Sequence, residues 1–227
     1  MRFPQSCIIL LIFAVPCHPH DPITTKLTWN REISRLVNRR CASCHRPNGP
    51  AMSLLTYAAA RPWAVAISEE VLSRRMPPWD AVKGFGNFQS DMSLTQEEMN
   101  LFAEWVAGGA PEGDPALLPP TPSAPATPPL PPGETLALDH PLTLSRPITL
   151  LGIRPGSLPP GATAQLTARR PDGSVEPLLW LHDFHPAFPR TYVYADPILL
   201  PAGTTIRVSP AAGPFTLLYR SGLRSHK

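Results

Sequence analysis

Five consecutive residues carry a specific chemistry: Cys41-Ala42-Ser43-Cys44-His45. Cys-x-x-Cys-His is the spacing that attaches a haem through two thioethers. Two thiols must reach the two vinyl groups on one edge of the porphyrin, and the two-residue spacer sets their separation. The next side chain then turns its imidazole under the iron. A zinc half-site would need two more ligands, and no second Cys or His pair lies nearby. A redox dithiol usually sits in a βαβ pattern, whereas this pair follows a helical one. The expectation is one covalently bound haem c, with Cys41 and Cys44 as attachment points and His45 as the first ligand to iron.

An electron carrier closes its iron with a second ligand. Met52, Met76, Met92 and Met99 are the methionines beyond the N-terminal segment. Met99 falls inside a helical pattern and reads as core. Met52 is so near His45 that it would have to swing to the other haem face. Met76 stands in Arg74-Arg75-Met76-Pro77-Pro78-Trp79. Prolines there end a helix and stiffen a loop, which suits holding a thioether at a fixed distance from iron. Met76 is therefore the expected second axial ligand, and a methionine there raises the reduction potential relative to two histidines.

Trp63, Trp79 and Phe85, with Tyr57 and Phe88, are expected to line the haem pocket, since the haem would form much of so small a core. Arg39-Arg40 and Arg74-Arg75 are either solvated helix-end charges or a basic rim for haem propionates or an acidic redox partner. His182 and His185 are the one close histidine pair after the motif. Three residues apart on a strand, they would face opposite ways, so a metal role is not expected. His140 and His226 are isolated.

The elements that must position these groups fall in two zones. From about Leu27 to Gly113 the pattern is mostly helical. Thr28 is a candidate N-cap for a helix reaching about Ala42, with Ile33, Leu36 and Val37 on one face. One or two helices run from Tyr57 to about Arg75. Another starts at Ser93 or Thr95, with Glu97 and Glu98 at its positive end, and stops at Gly108-Gly109. Beyond Glu134, seven short strand patterns separated by Pro and Gly turns suggest an antiparallel sandwich. The expected fold class is multidomain α + β. Residues 27–113 would form an all-α c-type cytochrome domain, 114–133 a Pro-rich linker, and 134–222 a small antiparallel β-sandwich.

The chain has 227 residues and 32 prolines, roughly three times the usual share of about 5%. A net charge of +3, with no basic run interleaved with aromatics, argues against nucleic acid. Arg2 and the apolar run Cys7–Val15 read as an export signal, too short to span a membrane. Residues 1–20 are taken as the signal peptide, with the cleavage zone at Pro16-Cys17-His18. Cys7 and Cys17 leave with it, so Cys41 and Cys44 have no disulfide partners other than each other. The expected location is the periplasm or otherwise outside the cytoplasm, with no transmembrane segment in the mature chain.

The stretches CASCHRPNGPAMS (41–53), LLTYAAARPWAVAI, RRMPPW, GFGNF and LTQEEMNLFAEWVAGGAPEGDP resemble a known bacterial haem domain. It is the monohaem cytochrome c domain found fused to copper type II, ascorbate-dependent monooxygenase-like domains. The resemblance implies that His45 and Met76 are the axial ligands. The C-terminal zone is more weakly similar to the last sandwich of the copper domain, through Ile153-Arg154-Pro155, Arg170-Pro171-Asp172-Gly173, Asp183-Phe184 and Leu200-Pro201-Ala202-Gly203-Thr204. It departs at the ligands. Where the family has a His-x-His copper pair, this chain has Gly156-Ser157-Leu158, and no methionine follows Met99.

The functional expectation is an exported electron carrier rather than an enzyme, with the sandwich as a docking or structural module and a redox protein as partner. The rival is a haem-fused copper oxidoreductase with non-standard copper ligands. A redox or gas sensor in which Met76 dissociates is a third reading.

Overall fold

The computed structural model describes residues 26–122, 128–210 and 213–221. The signal expected over 1–20, with Cys7 and Cys17, and His226 lie outside the described residues.

Short helices come first. A wide π-type turn at Trp29–Ile33 leads into α1, Ser34–Arg40. Thr28 precedes that turn, but its hydroxyl caps nothing. Thr56 caps α2, Tyr57–Ala60, by accepting from Ala59 N–H at 3.2 Å. A 3-10 turn at Arg61–Trp63 holds Pro62 in its first turn, where the missing N–H costs nothing. α3, Ala64–Leu72, follows directly. α4, Gln96–Ala107, is the longest helix at 12 residues. Thr95 and Glu98 close a reciprocal capping box at its start.

These helices pack round Trp29, Ile33, Leu36, Phe102 and Trp105, each at most 1% exposed. Full burial of such a side chain contributes roughly 1.5–3 kcal/mol. The two ends of the zone meet: Trp29 N–H donates to Pro111 O at 3.0 Å, and Asn30 N–H to Glu112 O at 2.9 Å.

Two antiparallel four-stranded sheets dominate the rest. One has the order β1 (Glu134–Leu138), β8 (Phe215–Ser221), β3 (Ile148–Pro155), β6 (Tyr192–Leu200). The other runs β2 (Leu142–Thr143), β7 (Thr205–Ser209), β4 (Ala164–Arg169), β5 (Val175–Leu181). β4 alternates buried positions with half-buried or exposed ones, as a strand with one face on a core must.

The expected multidomain α + β class is corrected here. The chain is mostly β, and its helices are few and short. No all-α domain stands apart from the sandwich, because residues 79–89 of the supposedly helical zone are built into the sandwich. The physical reason lies in the sheet orders. β6 ends one sheet and β5 ends the other, and unpaired edge strands need cover. The 79–89 segment supplies it. Val82 N–H donates to Trp180 O at 2.8 Å on β5; Gln89 N–H donates to Val193 O at 2.7 Å, and Ala195 N–H to Asn87 O at 2.8 Å, on β6. Ala81 and Phe88 are counted in the sandwich core. Gly86 (φ +92°) permits the approach: a Cβ there would sit 2.8 Å from Leu178 O and 2.4 Å from the Phe88 ring.

Candidate metal centre

α1 delivers the Cys-x-x-Cys-His run. Its last turn closes with Cys41 N–H to Val37 O at 2.8 Å and Ala42 N–H to the same oxygen at 3.0 Å. Ala42 is 2% exposed, and Cys41 packs against the helical core. The chain then curls back on itself, with Cys44 N–H and His45 N–H both donating to Cys41 O, at 3.1 and 2.9 Å. Cys41 and Cys44 are free thiols rather than a disulfide. Burial, reinforced by Cys44, pushes the Cys41 thiol up to about 12.

The next loop wraps this curl. Ala51 N–H donates to Cys44 O at 3.3 Å, and Leu54 N–H to His45 O at 3.1 Å. Gly49 lies against the Cys44 carbonyl so closely that a Cβ would come within 2.4 Å of it. The loop also orients the imidazole, because His45 Nδ1 lies 2.9 Å from Met52 O. A carbonyl only accepts, so Nδ1 must carry the proton, and the Nε2 lone pair is left free. A second hydrogen bond of this kind is how a metal-bound histidine is usually held.

One cavity of about 440 Å³ has Cys41, Cys44, His45 and Met76 in its walls. Leu54, Ile67, Val71 and Pro78 make most of it apolar. Met76 arrives by the end of α3. Arg74 takes φ +60°, Arg75 N–H and Met76 N–H both reach Glu70 O, at 3.0 and 3.2 Å, and Pro77-Pro78 prevents further helix.

Two other methionines touch this cavity. Met52 is 45% exposed on the outer loop, and its carbonyl already serves His45. The Met92 sulfur accepts from Arg190 Nη1 at 3.7 Å. Met99 is buried in the helical core.

Of the expected pocket aromatics, only Trp63 lines this cavity, at 48% exposure. Trp79 sits instead in an aromatic cluster of the sandwich, 5.3 Å from Tyr192 between ring centres and 6.4 Å from Phe88. Phe85 packs edge-on against Trp180 at 4.7 Å. Tyr57 donates to Ala110 O at 3.0 Å, away from the cavity. Sequence reasoning missed Ala187 and Phe188, which close the cavity from the β5–β6 loop. They follow Pro186 in a stretch with no periodic pattern, so only the pairing of 79–89 with β5 and β6 could have revealed them.

The arginines divide. Arg40 and Arg39 reach Glu98 at 3.1 and 3.5 Å, and Arg40 Nη1 also donates to Asp91 O at 2.9 Å. Burial alone would raise the Glu98 carboxyl, but the Thr95 N–H and both arginines outweigh it and hold it below the usual range. Arg75 makes two hydrogen bonds to Glu70. His185 faces the buried Asp80, and His182 Nδ1 lies 3.3 Å from Thr163 Oγ1. His140 is exposed.

Among the described residues, no three His, Cys, Asp or Glu side chains cluster as a metal site of their own, and no helix is long and apolar enough to cross a membrane. Comparison of the chain with protein-family models, with curated proteins and with solved structures finds no match.

Proposed function

We propose that this chain carries one haem c, attached through Cys41 and Cys44, and moves single electrons outside the cytoplasm. The observation that carries the proposal is the single cavity walled by both thiols, His45 and Met76. The residues fit the group. The thiols are unpaired, the His45 tautomer leaves Nε2 free, and the walls are apolar enough to hold a porphyrin face. Bound iron supplies one-electron chemistry, cycling between Fe(III) and Fe(II). His45 and Met76 would be the iron's protein ligands, and an iron held by both would carry electrons rather than bind oxygen or peroxide. Met76 is preferred over Met92 because the Met92 sulfur is engaged by Arg190. Low wall polarity favours the reduced state by penalising the extra positive charge of oxidised iron.

The partner would be another redox protein. Arg39 and Arg40, which share Glu98, are weaker candidates for steering it than their sequence suggested. The test is an absorption spectrum of the exported protein, oxidised and reduced, with pyridine haemochrome analysis. One covalent haem per chain is expected, with a sulfur-to-iron band at the red end of the oxidised spectrum that Met76→Ala abolishes. A chain without haem overturns the proposal. A haem protein whose band survives in Met76→Ala overturns the second ligand.

A further inference from the structure

A second cavity, of about 570 Å³, adjoins the first. Val71, Met76 and Pro77 belong to the walls of both. Its walls mix apolar side chains with more polar and charged ones than the first. Trp180, on β5, and Ser93 line it, and Trp180 Nε1 and Ser93 Oγ are buried with no hydrogen-bond partner. An N–H or O–H stranded away from water carries its full desolvation cost unless something accepts from it.

The walls carry two cations and two carboxylates, and these differ in how they are engaged. Arg74 forms no ion pair among the described residues, and Lys83 reaches only Asp91, at 4.0 Å. On the acidic side, Asp80 is engaged by His185, which leaves Asp183. His182 and His185 complete the ionisable groups of the wall. Two orphaned donors beside Arg74, which has no ion pair among the described residues, call for a group with acceptor oxygens.

We propose that this chamber is a carboxylate site, filled by the propionates of the haem whose vinyl edge the cysteines hold next door. This inference rests on the haem reading. A porphyrin of this kind has an apolar edge and a carboxylate edge. Fixing the first at Cys41 and Cys44 in an apolar chamber obliges the second to end somewhere polar. Trp180 Nε1 and Ser93 Oγ donate to the carboxylate oxygens, while Arg74 offsets their charge. Trp180 then makes the sandwich part of the haem site.

The test uses the full haem-loaded chain. Trp180→Phe keeps an aromatic ring against Phe85 and removes the donor; Ser93→Ala is the milder second variant. A less compensated propionate favours oxidised iron, so each variant is expected to lower the midpoint potential, and the double variant to lower it further. The Trp180 indole N–H, identified by its loss in Trp180→Phe, should exchange slowly with heavy water in the reduced protein. Unchanged potentials, or an indole N–H exchanging as fast as in a peptide, would overturn the assignment. Acetate is the control for a free carboxylate: a saturable shift of the indole resonance with added acetate would also overturn it. Absence of covalent haem would sink both readings, whereas these outcomes in a haem-loaded chain sink this one alone.

Discussion

Asp80 and His185 join the helical part of the chain to the sandwich. The Asp80 carboxylate, 4% exposed, accepts from His185 backbone N–H at 3.1 Å and lies 3.2 Å from His185 Nδ1. Asp80 O in turn accepts from His182 N–H at 2.9 Å. Asp80→Ala is therefore expected to cost about 1–2 kcal/mol, because it removes the acceptor of the part-buried His185 N–H and the partner of its imidazole together. Urea unfolding checks it. A loss below about 0.5 kcal/mol would mean that water replaces the carboxylate without penalty.

Glu98 predicts an acid limit to stability. Its folded-state carboxyl lies below the ordinary value, so the unfolded chain binds its proton first as pH falls. The contribution is complete above the unfolded value of about 4.3 and is lost as pH drops through the folded one. Glu98→Gln should flatten that stretch of the stability curve. At neutral pH it should cost about 1 kcal/mol, mostly from the weakened capping box and the released Arg40. A variant whose stability falls as steeply with acid as the wild type's would count against Glu98.

Gly49→Ala should be damaging beyond its size. Its new methyl meets the Cys44 carbonyl at 2.4 Å and the Arg46 side chain at 2.9 Å, and neither carbonyl nor loop can yield without moving Met52 O from His45. Overpacking of this kind typically costs about 1–3 kcal/mol. Thermal unfolding of the haem-free chain reads the strain directly; an unaltered transition would refute the close approach.

Phe188→Ala should lower the midpoint potential while leaving the sandwich folded. The ring closes the apolar cavity from the β5–β6 loop and is itself 40% exposed, so few core contacts depend on it. Its loss would admit water beside the proposed haem, which would favour the oxidised state. Redox titration with far-ultraviolet dichroism separates the two effects, and an unchanged potential would show that the loop does not seal the site.

What the chain states locally is legible without a structure. The Cys41–His45 spacing, the Thr95 and Glu98 helix start, the prolines after Met76 and the alternation in β4 all act over a few residues, where geometry follows from bond lengths and hydrogen-bond reach. Seven expected strands overlap seven of the observed ones, and β2, two residues long, was too short to leave a pattern. The destination of Trp79, Phe85 and Phe88 was not legible in the same way. Aromatic side chains in an irregular segment fit a haem pocket and a sheet edge equally well by type. The choice was made by β5 and β6, about a hundred residues away, whose open edges the 79–89 segment covers. The same long-range pairing brings Phe188 to the cavity and Trp180 to its polar neighbour. Sequence alone therefore picked out the residues proposed to hold a haem; tertiary structure decided which others line their cavity, because only folding brings two distant, unpaired edges to one segment that can satisfy both.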